Sequence, residues 1–170
     1  IAVISSVIMG KFAFDLGLPS EFAIICGLLA GLVLGTLNGV LVAFVRLPPF
    51  IVTLGTWQII LAANFLYSGS EVIRSQDIAA AAPLLQFFGN KVRIGGAIFT
   101  YGVLFLLGLV AVMTYALSQT AWGRHVYAVG DDPEAAELSG VRVRAVLISV
   151  YALAGLICAF AGWVLIGRLG

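Results

Sequence analysis

The sequence predicts an all-α fold: a polytopic transmembrane helix bundle with about four complete spans and one partial span at its N-terminus. Composition is the first reason. Hydrophobic residues make up 62% of the chain and charged residues 10%, against about 25% charged in a soluble domain. Mean hydropathy is +1.13, and 170 residues this apolar cannot hide their side chains in one aqueous core. The second reason is that the apolar runs are long and continuous, as membrane helices require, whereas a transmembrane barrel shows short alternating strands. The third is a stripe of small residues at every fourth position of one run, the pattern by which helices approach one another in lipid. A net charge of +1 gives no sign of a nucleic-acid partner.

The elements follow in order. Residues 1–9, IAVISSVIM, are apolar but too short to cross ~30 Å of hydrocarbon. With no charged flank or cleavage site they do not read as a signal peptide. The expectation is the end of a helix that begins upstream. Residues 10–20 are expected to form a short loop, with Ser20 as N-cap and Glu21 in the first turn of the next helix. That helix covers about 22–45. Ala23, Gly27, Gly31, Gly35, Gly39 and Ala43 recur along it at four-residue spacing, so Gly27, Gly31, Gly35 and Gly39 are the candidate helix-packing positions. Asn38 lies among them and needs a partner at this depth, either a neighbouring helix or an aqueous path.

Arg46 closes that span, and Pro48-Pro49 interrupt the helix and restart the chain. The next span, about 50–67, carries Thr53, Thr56, Trp57, Gln58 and Asn64. Polar groups in a membrane helix face the bundle interior or water. Two readings stand side by side. Asn38, Thr53, Trp57, Gln58 and Asn64 could line a solute path, with amides bonding hydroxyls and an indole stacking on a sugar face. They could equally make ordinary hydrogen bonds between helices. Residues 68–96 mix charges with LLQFF and read as a connection with a re-entrant or interfacial piece. A span over about 97–117 follows, with Tyr101 and Tyr115 near its ends, as membrane interfaces favour. The last span covers about 145–166, with Gly155, Ala159 and Gly162 as small contacts and Arg168 snorkelling at its end.

Between these spans lies the most sustained polar stretch of the chain, within 118–144. Asp131 is a candidate N-cap, with Glu134 three residues on completing a capping box. Pro133 suits the first turn, and Gly140 suits the left-handed position that ends a helix. The predicted helix, within 131–140, is about two turns, roughly 12 Å at ~1.5 Å per residue. It is too short to hold alone in water, so it must dock on its own membrane domain, a partner, or both.

Much familiar chemistry is missing from the sequence. It contains no GxxxxGK[ST] phosphate loop, no CxxC and no HExxH. No catalytic residue and no metal ligand set is expected. Cys26 and Cys158 lie in apolar spans and read as packing residues, and the lone His125 reads as a surface or interface residue. No span holds a clear buried charge, which weighs against a proton-coupled carrier. Charge counting does not orient the chain. Arg46, Arg124, Arg142 and Arg144 fall on one side, and Lys11, Arg74, Lys91 and Arg93 on the other.

The polar stretch resembles the coupling loop of importer-type ABC transporter permeases. Glu134-Ala135-Ala136, then three residues, then Gly140 fit that loop's EAAxxxG pattern. The usual continuation IxLP is replaced by Val150-Tyr151-Ala152-Leu153, which sets the chain apart from the maltose type. Gly123-Arg124, Tyr127-Ala128-x-Gly130, Leu138-Ser139-Gly140-Val141 and Val143 read like the ribose/xylose/fructose branch. So do Asn38-Gly39-Val40 and Pro49-Phe50-Ile51-x-Thr53-Leu54-Gly55-Thr56. The resemblance implies a membrane subunit of a monosaccharide importer in a bacterial inner membrane. Its implied partners are an ATP-binding cassette subunit that carries the ATP, a periplasmic sugar-binding protein and a second permease copy. Branched-chain amino-acid or nucleoside permeases are the nearby alternative, a secondary carrier or channel the distant one. The implied ATPase-coupling residues are Gly123, Arg124, Asp131, Asp132, Glu134, Ala135, Ala136, Glu137, Ser139, Gly140 and Arg142, with the alanines seating the helix in an ATPase groove. Residues 118–144 would be cytoplasmic, and 10–20 and 68–96 periplasmic.

Overall fold

A computed structural model describes residues 1–14, 19–68, 87–88, 91–94 and 97–169. Helix α1 is Ala2–Phe14, α2 Ser20–Val45 and α3 Pro49–Ser68. A hairpin of β1 (Lys91–Ile94) and β2 (Ala97–Thr100) leads into α4 (Tyr101–Gln119). Then come α5 (Ala121–Asp131), α6 (Pro133–Leu138) and α7 (Val143–Leu169). The windows Ser20–Val45, Pro49–Leu66, Tyr101–Gln119 and Val143–Gly167 are long and apolar enough to cross a membrane. At 13 residues, α1 is about 20 Å long and falls short of that.

Several boundaries differ from the sequence-based expectation. The first helix runs on to Phe14 and is not finished at residue 9, because Lys11, Phe12 and Ala13 continue it. Ser20 is the first helical residue, and the cap position belongs to Pro19, which makes no side-chain cap bond. The span expected from residue 97 begins at Tyr101. Residues 97–100 pair antiparallel with 91–94, from Lys91↔Thr100 to Ile94↔Ala97. The Gly95-Gly96 dipeptide flanked by β-prone Ile94, Ile98 and Phe99 is a hairpin signal that the apolar run concealed. The last helix spans Val143–Leu169, a turn longer than expected. Residues 15–18, most of the piece expected over 68–96, and the Arg168 side chain lie outside the described residues.

The centre of the bundle is the α2–α7 pair, with α1 laid against both. Gly31, Gly35 and Gly39 of α2 face Ala159, Gly155, Tyr151 and Ile148 of α7 at backbone distance. A Cβ on Gly31 would sit 2.8 Å from the Gly155 carbonyl oxygen, and one on Gly35 2.8 Å from the Gly155 Cα. No side chain fits there. Gly27 faces Met9 of α1, where a Cβ would collide with the methionine side chain. Met9, Ala13, Ala23 and Ile24 form a buried cluster beside it, flanked by Phe12, Leu28, Trp163 and Ile166. Trp163 also belongs to an aromatic group, with Phe88, Phe105 and Phe160, that joins α4 to α7, with ring centroids 5.0 Å apart for Phe88–Phe105 and 4.7 Å for Phe88–Trp163. Such tilted and edge-to-face arrangements are the favoured aromatic geometries.

Candidate functional site

The stretch expected to be a loop around one short helix is a two-helix unit. Thr120 caps α5 by accepting a hydrogen bond from the Gly123 amide at 3.2 Å. Trp122, Gly123, Val126 and Val129 turn toward the protein, while Arg124, His125, Tyr127, Ala128, Gly130 and Asp131 are exposed. This is one amphipathic face at helical spacing. The signal was present in the sequence, but the many polar residues masked it. Gly123 has a steric reason to be glycine. Its Cβ would lie 2.6 Å from the Leu117 Cα, because α5 turns back under the end of α4.

Asp131 ends α5 and does not cap α6. The cap is Asp132, whose Oδ1 accepts from the Glu134 amide at 2.9 Å and the Ala135 amide at 3.1 Å. Pro133 is then the first helical residue, and its fixed φ and missing N–H suit that position. With the cap one residue later than expected, Glu134 is in the first turn and no capping box forms. The other end closes as a Schellman motif. The Gly140 amide donates to the Glu137 carbonyl and the Val141 amide to the Ala136 carbonyl, both at 3.0 Å. Gly140 has φ +85°, where a Cβ is unfavourable. The Ser139 hydroxyl donates to the Ala135 carbonyl at 3.0 Å. The helix is six residues, about 9 Å long, shorter than expected.

Ala136 faces inward. It is 4% exposed and packs with Val129 of α5 and Val146 of α7, with Val126, Val141, Val143, Leu147 and Val150 around them. The expectation that both alanines seat in a partner's groove therefore needs correction at Ala136. Burial in the chain's own small core occupies that side chain, and Ala135 alone is exposed. The outward face carries Glu134, Glu137 and Leu138. Leu138 is 91% exposed.

Beside α6 the chain forms a cleft of about 770 Å³. Its walls are the α2–α3 turn, with Arg46, Pro48 and Pro49, the start of α7, with Arg144, and Asp132, Glu134 and Glu137. Arg46 has φ +54° and caps α2 in the left-handed conformation. The Arg144 guanidinium lies 5.3 Å from the centre of the Phe44 ring, a cation–π contact. The α2–α3 turn and the α5–α6 unit therefore occupy the same end of the bundle. Arg124 and Arg142 are exposed there as well.

The residues considered for a solute path are scattered. Asn38 is 5% exposed, and its Oδ1 meets no hydrogen-bond partner among the described residues. The Asn64 Oδ1 is likewise buried and unpaired. Thr53 Oγ1 donates back to the carbonyls of Pro49 and Phe50, at 3.0 and 3.1 Å, so its hydroxyl is engaged within α3. Trp57 and Gln58 are exposed on α3. None of these five residues lines the cleft beside α6. Among the described residues no group of His, Cys, Asp and Glu could hold a metal ion.

Comparison with known proteins follows the same lines. The chain is 62% identical to the fructose import permease protein FrcC of Rhizobium meliloti, over all of its 170 residues and 47% of that protein. It is 34% identical to the galactose/methyl galactoside import permease protein MglC of Escherichia coli (strain K12), over 86% of this chain and 43% of the relative. It is 33% identical to the autoinducer 2 import system permease protein LsrC of Escherichia coli (strain K12 / DH10B), over 97% of this chain and 46% of the relative. The chain thus spans under half the length of these curated relatives. No solved structure matches it. The family model for the branched-chain amino acid transport system permease component matches residues 1–170, and the chain belongs to that family.

Proposed function

We propose that this chain is part of the membrane-spanning permease subunit of an ATP-driven importer that moves a monosaccharide of the ribose/xylose/fructose class across a bacterial inner membrane. The observation that carries the reading is α6: a helix capped at both ends, anchored inward by Ala136 and presenting Glu134, Glu137 and Leu138 outward. An exposed leucine beside two carboxylates suits a groove that is part apolar and part basic on a separate ATP-binding cassette subunit. The chain contributes no catalysis, and ATP hydrolysis belongs to that partner. A periplasmic binding protein delivers the sugar, and a second permease copy completes the pathway. The 62% identity to a fructose import permease favours a sugar over an amino acid. Asn38 and Asn64, whose buried carbonyl oxygens meet no hydrogen-bond partner among the described residues, are the best candidates for a solute or water path.

ATP binding would draw the two ATPases together. A rigid helix seated in each would bias the bundle toward one access state, a population shift set by differential contacts. The test uses the full-length permease with its ATPase and binding protein in proteoliposomes. Labelled fructose should accumulate only with ATP. Leu138→Asp should lower ATP-driven uptake at least tenfold while thermal stability stays at the wild-type value, because the side chain touches solvent. Uptake driven by an ion gradient without the ATPase, or full uptake by Leu138→Asp, overturns the reading.

A further inference from the structure

Besides the Gly123 corner with α4, the α5–α6 unit meets α7 through two kinds of contact. One is the apolar cluster of Val129, Ala136 and Val146, which resists separation but carries little directional information. The other is a hydrogen bond from Trp122 Nε1 on α5 to Ser149 Oγ on α7, at 2.8 Å. Its direction is defined at both ends. Indole N–H is a donor only, and the Ser149 hydroxyl spends its own proton on the Val146 carbonyl at 2.7 Å, leaving its lone pairs for Trp122. Both side chains are half-buried, so water competes weakly for the bond.

Ser149 sits next to Ile148. Ile148 and Tyr151 lie at backbone distance from Gly39. The first turns of α7 therefore hold the α5–α6 unit through Val146 and Ser149, and hold α2 through Ile148 and Tyr151. The hydrogen bond adds a directional tie between α5 and α7 at Ser149, one residue from the contact of Ile148 with Gly39.

From this geometry we infer that Trp122 and Ser149 are a positioning pair. They lock the α5–α6 unit to α7, so that a displacement applied to the outer face of α6 reaches the α2–α7 seam and is not lost as rotation of α6 on its own core. The inference rests on the proposed function, since it needs a partner that moves α6.

The experiment measures sugar imported per ATP hydrolysed, using the full-length permease reconstituted with its ATPase and binding protein. Trp122→Phe keeps an aromatic ring and removes the donor, and Ser149→Ala removes the acceptor. Each should lower the transport-to-hydrolysis ratio on the order of fivefold, the scale of one lost hydrogen bond, with ATP hydrolysis retained. The double variant should be no worse than either single one. Ser149→Thr, which keeps a hydroxyl, should restore the ratio. A merely structural role would lower uptake, hydrolysis and thermal stability together at an unchanged ratio, and that result, or additive losses in the double variant, overturns the inference. Uptake by the wild-type complex that needs no ATP would instead remove the underlying functional reading.

Discussion

Helices α2 and α4 are both long and apolar enough to cross a membrane, yet they take opposite places. On α2, Ala23, Gly27, Gly31, Gly35, Gly39 and Ala43 are all buried. On α4, Gly102 alone is buried, and Val103, Leu104, Leu106, Leu107, Val110 and Val112 are exposed. Hydropathy does not separate them, because lipid tails accept leucine as readily as another helix does. Backbone access separates them. Gly35 lies against α7 so closely that a Cβ would enter the space of Gly155, whereas a Cβ on Gly108 meets nothing within 4 Å. Within this chain, close packing follows the small residues, and the large apolar side chains of α4 stay on its outer surface.

The strongest way to break this contrast is a pair of identical substitutions. Gly35→Leu should destabilise the bundle by at least about 3 kcal/mol, because the obstacle is backbone and cannot rotate away. Gly108→Leu should leave thermal stability unchanged. Melting of the two purified full-length variants in detergent checks both, and equal losses would refute the contrast.

A smaller effect sharpens it at the corner between α4 and α5. There Gly123 meets the Leu117 backbone, so α4 is tethered at its end though exposed along its length. Gly123→Val should cost about 2 kcal/mol and loosen α5 while the α2–α7 seam stays intact. Hydrogen exchange should rise in residues 121–138 and not in 27–39. Faster exchange in both stretches would show that the corner and the seam unfold as one.

The smallest effect concerns the cap of α6. Asp132→Ala should remove about 1 kcal/mol of helix stability, and Asp131→Ala close to none, because only Asp132 accepts from the amides of Glu134 and Ala135. Amide exchange of residues 134–138 should accelerate about fivefold in the first variant only. The reverse order would return the cap to Asp131.

These elements differ in how far they can be read from residues alone. The four-residue spacing of α2 is a local regularity, and so are the Pro48-Pro49 break and the Gly140 terminus. Asp131 and Asp132 are equally good acceptors, so local sequence does not choose the cap between them. Only the path of the chain out of α5 decides which of them turns back over the next amides. Helix α5 is hard to read from residues alone because its inward face is only Trp122, Gly123, Val126 and Val129 among polar and small residues, and that face acquires meaning only when α7 lies under it. The strand at 97–100 was absorbed into a span because period cannot separate a short apolar strand from a helix start.

By itself, then, the sequence determined what is local: an all-α membrane bundle, the seam-forming glycines, the breaks between spans and a short helix ending at Gly140. Tertiary structure alone decided which face each element shows. It turned Ala136 inward and Leu138 outward, set Trp122 on Ser149, and put Arg46 and Asp132 on the walls of one cleft. The reason is physical. Helix formation and chain breaks depend on neighbours a few residues away, whereas burial and pairing depend on which distant surface arrives.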